Sequence, residues 1–299
     1  MLSAIICTYN RARYLRPLLE SLVAGGFADC EIVLVDNNSS DNTREECDRF
    51  MADHPEVAMR YCFEPNQGLS FARNRGIEEA RGEVVVYVDD DALVNPEYLA
   101  TYADFFVRHP EVDAAGGPIT PRYDGCEEPG WMSHYTRQLV TGWLDFGTRE
   151  REFPRGAFPG GGNAAYRKRV FDEVGRFDTA LGRKGNSLVG AEEKDIFDKM
   201  TSSGMRFFYL PTAILYHLIP PHKLTQDYFD RLTYGIGVSE RYRTLGIGKG
   251  KYLGRVAAEG VKWGATLALW TRFALAGQVQ KGRKLVEFRR NVSRGLLGR

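Results

Sequence analysis

Three adjacent carboxylates directly after an apolar run are the clearest chemical feature of this 299-residue sequence. Asp89, Asp90 and Asp91 follow residues 84–88 (VVVYV), which have the composition of a buried strand. Neighbouring carboxylates repel one another and are costly to remove from water without a counter-ion. A divalent cation relieves that cost, and Mg²⁺ or Mn²⁺ prefers such hard oxygen ligands. An acidic loop in water is the alternative, but the position after a strand favours a metal–phosphate site.

Polar residues also follow two other predicted strands. The segment 36–41 (DNNSSD) follows one apolar run, and the segment 8–11 (TYNR) follows another. A helix cap and a turn explain Ser40 and Asp41, but they do not explain Asp36. An aromatic face, amide and carboxylate groups and a metal at one sheet edge are what a bound nucleotide needs.

Neither common phosphate-binding loop is present. The sequence lacks G-x-x-x-x-G-K-[ST], and its glycine-rich stretch at 246–250 does not have the G-x-G-x-x-G spacing. This argues against a P-loop kinase and against a dinucleotide-dependent oxidoreductase. A bound phosphate would therefore have to be held by a metal and by basic side chains.

Strand and helix patterns alternate through the first part of the chain. Apolar runs predict strands at 4–7, 31–35, 58–63 and 83–88, and periodicity predicts helices at 14–23, from near Asp41 to before Pro55, and at 69–80. Such alternation predicts an α/β fold with a doubly wound open sheet. Its ligand crevice should lie beyond the carboxyl ends of the strands.

The rest of the chain has a different pattern. Residues 116–190 are rich in glycine, proline and aromatic residues, so we expect loops and short elements there. A helix is predicted at 192–203, and short strands are predicted at 205–210 and 213–217. The chain then reads as helical from Thr225 to the end. We predict a catalytic domain at 1–220 and a helical, basic region at 221–299.

The near-neutral total charge hides an asymmetry. Residues 249–299 contain twelve Lys and Arg but only two Glu, so the first 248 residues are net acidic. The basic region also contains apolar and aromatic residues beside Lys262 and Arg272, namely Trp263, Leu267, Leu269, Trp270, Phe273 and Leu275. This composition fits a helix lying on an anionic membrane surface. The alternative is an ordinary helical subdomain that packs on the catalytic domain or on a second subunit.

Composition excludes several other classes of protein. With 43% hydrophobic and 26% charged residues, the chain is neither disordered nor collagen-like. Five scattered cysteines without C-x-x-C spacing predict a protein of a reducing compartment, with no structural zinc site. We see no signal peptide and no stretch long enough to span a bilayer, and Arg272 argues against a spanning helix. We therefore expect a cytoplasmic protein, peripheral at the inner face of the cytoplasmic membrane if the basic region binds lipid.

Taken together, five motifs resemble those of inverting family-2 glycosyltransferases with the GT-A fold. They are T-Y-N-R at 8–11, V-D-N-x-S-x-D-x-T ending at Thr43, N-x-G-x-x-x-A-R-N-x-G at 66–76, D-x-D at 89–91 and E-[ED] at 192–193. Their order and spacing are more specific than any one of them. The resemblance covers roughly residues 1–220 and implies an enzyme that uses a nucleotide-sugar donor.

The resemblance also implies roles for individual residues. Thr8, Tyr9 and Arg11 would line the nucleotide pocket, Asp36 would bind the base, and Arg73 would lie near the nucleotide. Asp89 would face the ribose or the metal, Asp91 would ligate the metal, and Asp90 occupies the variable middle position. On physical grounds alone, Arg73 could equally be a surface helix residue.

The pair Glu192 and Glu193 opens a predicted helix, where acids are favoured electrostatically whatever their function. The family pattern makes the second acid the general base, although that position is commonly Asp, so either glutamate remains a candidate. His217 ends a predicted strand and is a candidate ligand of the metal or the diphosphate, with His222 as its alternative. A lone histidine is otherwise more often structural.

The glycine run 160–162 and Asn163 are candidates to shape a sugar pocket, since glycines let the backbone approach a ligand closely. Gly162 and Asn163 are the two that we place against the donor. Trp143 is a further candidate, and Trp131 is a lesser one as an aromatic platform for a sugar.

We therefore predict an inverting, metal-dependent hexosyltransferase. It would move a sugar from a nucleoside-diphosphate donor, with uridine as the expected base, to a hydroxyl of a saccharide or a lipid-linked saccharide in surface polysaccharide or glycolipid synthesis. The cofactor would be Mg²⁺ or Mn²⁺, a membrane surface is a possible partner, and no nucleic acid is expected. Two alternatives remain open: a sugar-phosphate nucleotidyltransferase, and a non-catalytic nucleotide-sugar binding module.

Overall fold

The computed structural model describes residues 1–26, 29–185, 188 and 190–299. These residues form two compact units. The first contains 1–122, 142–179 and 193–218, and the second contains 123–141, 180–192 and 219–299. The second unit thus includes two segments that precede residue 220 along the chain.

The described residues contain eleven strands and ten α-helices. The strands are β1 (Leu2–Thr8), β2 (Cys30–Asp36), β3 (Met59–Phe63), β4 (Val84–Asp89), β5 (Ala92–Val94), β6 (Ala114–Gly116), β7 (Ile119–Tyr123), β8 (Arg151–Glu152), β9 (Asn163–Arg167), β10 (Phe207–Tyr209) and β11 (Leu215–Ile219). The helices are α1 (Ala12–Val23), α2 (Thr43–Asp53), α3 (Leu69–Glu79), α4 (Tyr98–Arg108), α5 (His134–Thr141), α6 (Val170–Glu173), α7 (Glu192–Ser202), α8 (Gln226–Ile247), α9 (Lys249–Leu275) and α10 (Val279–Leu297).

A mixed sheet of eight strands is the frame of the first unit, in the order β3-β2-β1-β4-β9-β6-β10-β8. Strands β3, β2, β1 and β4 are parallel, and β9 runs antiparallel between β4 and β6. The central strands are buried, as their unbroken apolar sequences predict. The α/β fold and the four strands expected in the first 90 residues are confirmed.

Strand register brings the polar segments to one edge of this sheet. Thr8 pairs with Asp36, and Cys7 pairs with Asp89, at the carboxyl ends of β1, β2 and β4. Helix α1 covers the sheet with an apolar face whose leucines are fully buried, namely Leu15, Leu18, Leu19 and Leu22. Packing of this face fixes the loop between β1 and α1 over the strand ends.

The predicted strands at 205–210 and 213–217 are both present, but they belong to different sheets. β10 joins the large sheet, whereas β11 lies between β5 and β7 in a sheet of three strands. β11 pairs antiparallel with β5, with His217 opposite Ala92. The Leu218 N–H donates to the Asp91 carbonyl at 2.8 Å, which holds this strand beside the acidic run.

The second unit is built from α5 and the three C-terminal helices. Its apolar cluster joins Met132 and Val140 to three residues of α8, namely Tyr228, Phe229 and Leu232. The helical character expected after Thr225 is confirmed. In the part of the chain that the structure describes, no helix is both long enough and apolar enough to cross a membrane.

Candidate active site

The loops that follow β1 and β2 are joined by their own polar groups. The Asn10 N–H donates to Ser39 Oγ at 2.9 Å, and Asn10 Oδ1 accepts from the Ser40 N–H at 2.7 Å. The Asp41 carboxylate accepts from the first N–H groups of two helices, Ala12 of α1 and Thr43 of α2. These bonds explain why the segments 8–11 and 36–41 are polar, and they place Tyr9 at the same edge, half-buried.

Asp36 lies at the end of β2 and is buried. Its Oδ2 accepts from the Tyr61 hydroxyl at 2.6 Å, and its Oδ1 accepts from the Ser39 N–H at 2.9 Å. Burial, together with the bond to this carboxylate, raises the pKa of Tyr61 well above its usual range. Thr8 pairs with Asp36 in register, and its Oγ1 is buried without a hydrogen bond to another described residue. Tyr61 was not found by sequence reasoning, because nothing in its local pattern marks it.

Arg11 binds two members of the acidic run. Its Nη1 lies 2.7 Å from Asp90 Oδ1 and 2.7 Å from Asp91 Oδ2. Both carboxylates are nearly inaccessible to solvent. Burial raises the pKa of Asp90 despite the opposing attraction of Arg11, and the charge of Asp90 in turn raises the pKa of Arg11. A guanidinium therefore neutralises the carboxylates at the position where the sequence predicted a cation.

His217 lies on the other side of the same carboxylate. Its Nε2 is 3.3 Å from Asp91 Oδ1, and the imidazole is mostly buried. His222 lies in the second unit, where its ring packs edge-on against Tyr228. Of the two histidines that the sequence offered, the structure thus brings His217 to the acidic run.

Two consecutive glycines lie against two carboxylates. A Cβ added at Gly161 would be 1.8 Å from the carboxyl carbon of Glu193, and one added at Gly162 would be 2.1 Å from Asp89 Oδ2. A side chain at either glycine would require the neighbouring carboxylate to move. Since neighbouring Cα atoms are 3.8 Å apart, the carboxyl carbons of Glu193 and Asp89 can be no more than about 11 Å from each other. The glycine run therefore positions acidic side chains.

Arg73 is buried and holds Glu193. Its Nη2 donates to Glu193 Oε1 at 2.5 Å and approaches the Gly161 carbonyl at 3.5 Å. The guanidinium also lies over the rings of Tyr87 and Phe177, at 5.5 and 5.3 Å from their centroids. Such stacking fixes a guanidinium in one orientation. The sequence suggested either a nucleotide contact or a surface residue, and the structure shows a buried partner of Glu193.

Glu192 and Glu193 lie in different surroundings. Glu192 is buried in the second unit, whereas the Glu193 side chain lies in the first unit and is 31% exposed. Of the two glutamates, Glu193 is therefore the one whose side chain contacts both Arg73 and the glycine run. Cys7 lies near the end of β1, and burial raises the pKa of its thiol to about 12, so it stays protonated.

The Asn163 side chain is hydrogen-bonded within the protein core. Its Oδ1 accepts from the hydroxyls of Tyr98 and Tyr102, and its Nδ2 donates to the carbonyls of Pro118 and Ala213. The amide is fully buried and all of its hydrogen-bonding positions are used. Trp131 is likewise structural, because it packs against Phe229 and under Lys284 in the second unit.

The acidic run has the chemistry of a divalent-cation site. Asp89 and Asp91 offer hard oxygen donors, His217 offers a nitrogen donor, and the Arg11 guanidinium shows that a positive charge is accommodated between the carboxylates. Among the described residues, no group of three or more His, Cys, Asp or Glu side chains is placed to hold a metal ion. Mg²⁺ in nucleotide sites commonly takes only one or two protein carboxylates and completes its shell with water and phosphate.

The fold is that of the GT-A class of glycosyltransferases. The sequence model of glycosyl transferase family 2 matches residues 3–175, which is more than half of the chain. The chain belongs to this family, and it is a glycosyltransferase. Membership decides against a sugar-phosphate nucleotidyltransferase.

Known relatives agree with this assignment. The chain is 28% identical over 248 residues to the glucosyl-dolichyl phosphate glucuronosyltransferase of Haloferax volcanii, which covers 81% of this chain and 77% of that protein. Among solved structures, it resembles the Pyrobaculum calidifontis mannosyltransferase PcManGT in complex with GDP-mannose and Mn²⁺, with a TM-score of 0.61, 19% identity and coverage of 96% and 85% of the two chains. It also resembles S. aureus TarS 1–349 in complex with UDP, with a TM-score of 0.53, 17% identity and coverage of 100% and 92%. At these identities the two solved structures show the fold.

Proposed function

We propose that this protein is an inverting glycosyltransferase that depends on a divalent cation and uses a nucleoside-diphosphate sugar, with UDP as the nucleotide. The observation that carries the proposal is the placement of Glu193 by Arg73 and Gly161, on a backbone whose next residue, Gly162, contacts Asp89. A candidate base and a candidate donor-binding carboxylate thus lie at one edge of the sheet. Their carboxyl carbons are at most about 11 Å apart.

Residues at the carboxyl ends of the strands support the proposal that a nucleotide binds there. Asp36 presents a buried carboxylate that can accept a hydrogen bond from the N3–H of uracil, and Tyr9 supplies a ring near the same edge. Arg11 and Asp89 belong to the part of the edge that would meet the ribose and the diphosphate. The UDP complex of TarS and the GDP-mannose complex of PcManGT make both nucleotides relevant competitors.

In the proposed reaction, Glu193 takes the proton of an acceptor hydroxyl as that oxygen attacks the anomeric carbon. The new oxygen–carbon bond forms on the face opposite the leaving group, and the bond to the diphosphate breaks with its electron pair left on the diphosphate oxygen. This single displacement inverts the anomeric configuration. General-base assistance contributes roughly 10²–10⁴-fold to such a step. A bound Mg²⁺ or Mn²⁺ would be held by Asp91 and Asp89 with help from His217, and it would supply positive charge to the departing diphosphate.

The acceptor that we propose is a hydroxyl on a lipid-linked saccharide, in the synthesis of a surface polysaccharide or glycolipid. Support comes from the Haloferax volcanii relative, which is described as acting on a glucosyl-dolichyl phosphate and which aligns along most of both chains.

The proposal can be tested with Glu193→Gln and Glu192→Gln as a matched pair. We expect Glu193→Gln to lower kcat about 10²–10⁴-fold while donor binding, measured by thermal shift with UDP and Mn²⁺, is kept. A result in which Glu192→Gln abolishes turnover while Glu193→Gln costs only a few-fold would show that the base is assigned to the wrong glutamate. Unchanged turnover in both variants would favour a site that binds the nucleotide sugar without catalysis.

Donor and metal are tested by the same thermal-shift measurement, with UDP, GDP and TDP, each with and without Mn²⁺. A ligand that binds only the folded state raises its stability. We expect UDP to give the largest metal-dependent shift and Asp91→Ala to lose it. Equal shifts in the wild type and Asp91→Ala would exclude the metal role of Asp91.

A further inference from the structure

Helix α9 buries polar residues and exposes apolar ones, which is the reverse of an ordinary amphipathic helix in a globular protein. The residues that it buries are Glu259 and Thr266, which are polar. Its large apolar side chains point outward instead: Leu253 is 64% exposed, Val261 is 77% exposed and Leu275 is 86% exposed. A helix normally turns its apolar stripe toward the core and its charges toward water. Some partner other than the described residues is therefore expected to cover this face.

Buried ion pairs fix the orientation of α9. Glu259 binds Arg255 at 2.7 Å and Arg289 of α10 at 3.1 Å, and it also accepts from Ser293 Oγ. The Trp263 indole N–H donates to Ser293 Oγ at 2.9 Å. Rotation of α9 about its axis would separate these groups, so the helix cannot turn its apolar residues inward without leaving charges buried and unpaired.

The most exposed large apolar residues of α9 lie on one side of the helix. At 100° per residue, Leu253, Val261 and Leu275 fall within one narrow sector of α9 on the side opposite Glu259. We define the outer stripe as Leu253, Ala257, Val261, Gly264, Ala268 and Leu275. It contains no charged residue and extends about 33 Å along the helix. Leu267 lies beside the stripe and is also exposed.

The charges around this stripe indicate what covers it. Residues 249–299 carry twelve Lys and Arg against two Glu, and Lys249 and Arg272, which border the outer stripe at 100° per residue, are exposed. Two copies of such a surface would repel each other, so a second copy of this chain is a poor partner. An anionic lipid surface attracts the basic residues and accepts the apolar stripe at its acyl boundary.

We propose that α9 is a membrane-interface helix that lies in the plane of an anionic bilayer surface, with the outer stripe in the acyl boundary and its basic residues among the lipid phosphates. The helix lies on the bilayer and does not cross it. This inference does not depend on which donor or acceptor the active site uses.

Vesicle flotation of the full-length protein tests the proposal. Two vesicle types are compared, phosphatidylcholine alone and phosphatidylcholine with about 30 mol% phosphatidylglycerol. We expect flotation with the anionic vesicles only, and a decrease in the bound fraction as added salt screens the charges. Val261→Glu should lower the partition coefficient about tenfold.

Val107→Glu is the matched control, because Val107 is also a helical valine and is 81% exposed, but it lies on α4 in the first unit. It should float like the wild type. Lys249→Glu with Lys251→Glu leaves the stripe intact and should remove the preference for anionic vesicles. Circular dichroism and Tm of each variant confirm folding.

Three results would overturn the proposal. They are equal binding to both vesicle types, equal loss in Val261→Glu and Val107→Glu, and a wild type that does not float at all. A wild type that elutes as a dimer without lipid and becomes monomeric in Val261→Glu would assign the stripe to a second copy of the chain.

Discussion

Arg73 Nη2 lies 2.5 Å from Glu193 Oε1, although 120 positions separate the two residues along the chain. The Arg73 guanidinium stacks on the rings of Tyr87 and Phe177, and the Glu193 carboxylate packs against the backbone of Gly161. A buried guanidinium therefore fixes the position of the carboxylate to which we assign the proton transfer.

Arg73→Ala is expected to lower kcat about 100-fold, because a base that is free to move loses the alignment that the reaction needs. In a Glu193→Gln background, the same change should add little, since the two residues act as a unit. Steady-state kinetics with an NDP-release readout measures both. Arg75→Ala is the matched control: Arg75 lies on the same helix but pairs with Glu79 on the surface, and its loss should change kcat by no more than about twofold. Fully additive losses in the double variant would contradict the pairing.

Gly161→Ala is expected to displace the Glu193 carboxylate, because the new methyl would lie 1.8 Å from its carboxyl carbon. We expect a decrease in kcat of about 10–100-fold with donor binding kept. Gly190→Ala serves as the comparison, because a Cβ there would make only ordinary contact with Glu192 at 3.6 Å. If Gly161→Ala kept full turnover, the glycine run would have no role in positioning the base.

Arg11→Ala is expected to strengthen the binding of Mn²⁺ to the nucleotide-free protein, by about tenfold. The reason is that Arg11 occupies both Asp90 and Asp91 and competes with a cation for them. Isothermal titration calorimetry of metal-free protein measures the affinity. Arg13→Ala, which removes an exposed arginine stacked on Tyr14, should leave it unchanged. Weaker Mn²⁺ binding in Arg11→Ala would show that Arg11 does not compete with the metal.

Asn163→Ala is expected to lower the free energy of unfolding by about 3–5 kcal/mol. Two tyrosine hydroxyls and two carbonyls in the core would lose their partner at once. Urea unfolding measures the change. Asn42→Ala, at an exposed position before α2, should cost no more than about 0.5 kcal/mol. If Asn163→Ala kept near-native stability but lost donor binding, Asn163 would be assigned to the donor site.

Cys7 and Cys47 are expected to resist alkylation by iodoacetamide at pH 8.5 in the native protein. Burial raises the pKa of each thiol to about 12, and because only the thiolate reacts, below about 0.1% of each is reactive at that pH. Both thiols should react once the chain is unfolded in urea, as mass spectrometry of tryptic peptides can show. Rapid native labelling of Cys7 would mean that this strand end is open to solvent.

Much of the fold follows from local sequence patterns. The apolar runs predicted β1 to β4 and the leucine spacing predicted α1, because a buried parallel strand and an amphipathic helix each leave a periodic signature within a dozen residues. The acidic run, Asp36 and the segment 8–11 were also identified, since polar residues after a buried strand stand out against it.

Other features depended on tertiary structure. Local composition left open whether the α9 region lies on a lipid surface or packs as an ordinary helical subdomain, and it suggested Trp263 and Phe273 as lipid contacts, which the structure places partly inward. The exposed stripe was not visible until the buried Glu259 network showed which side of the helix faces the protein.

The sequence by itself determined the order of strands and helices in the first 90 residues, the family and the acidic strand end, because these are encoded in short, contiguous patterns. Only the tertiary structure decided which distant residues contact one another. Arg73 binds Glu193, and His217 lies beside Asp91. Gly161 and Gly162 lie against the carboxylates of Glu193 and Asp89. Those contacts join residues far apart along the chain. They depend on strand register and on the packing of distant elements, which no local periodicity encodes.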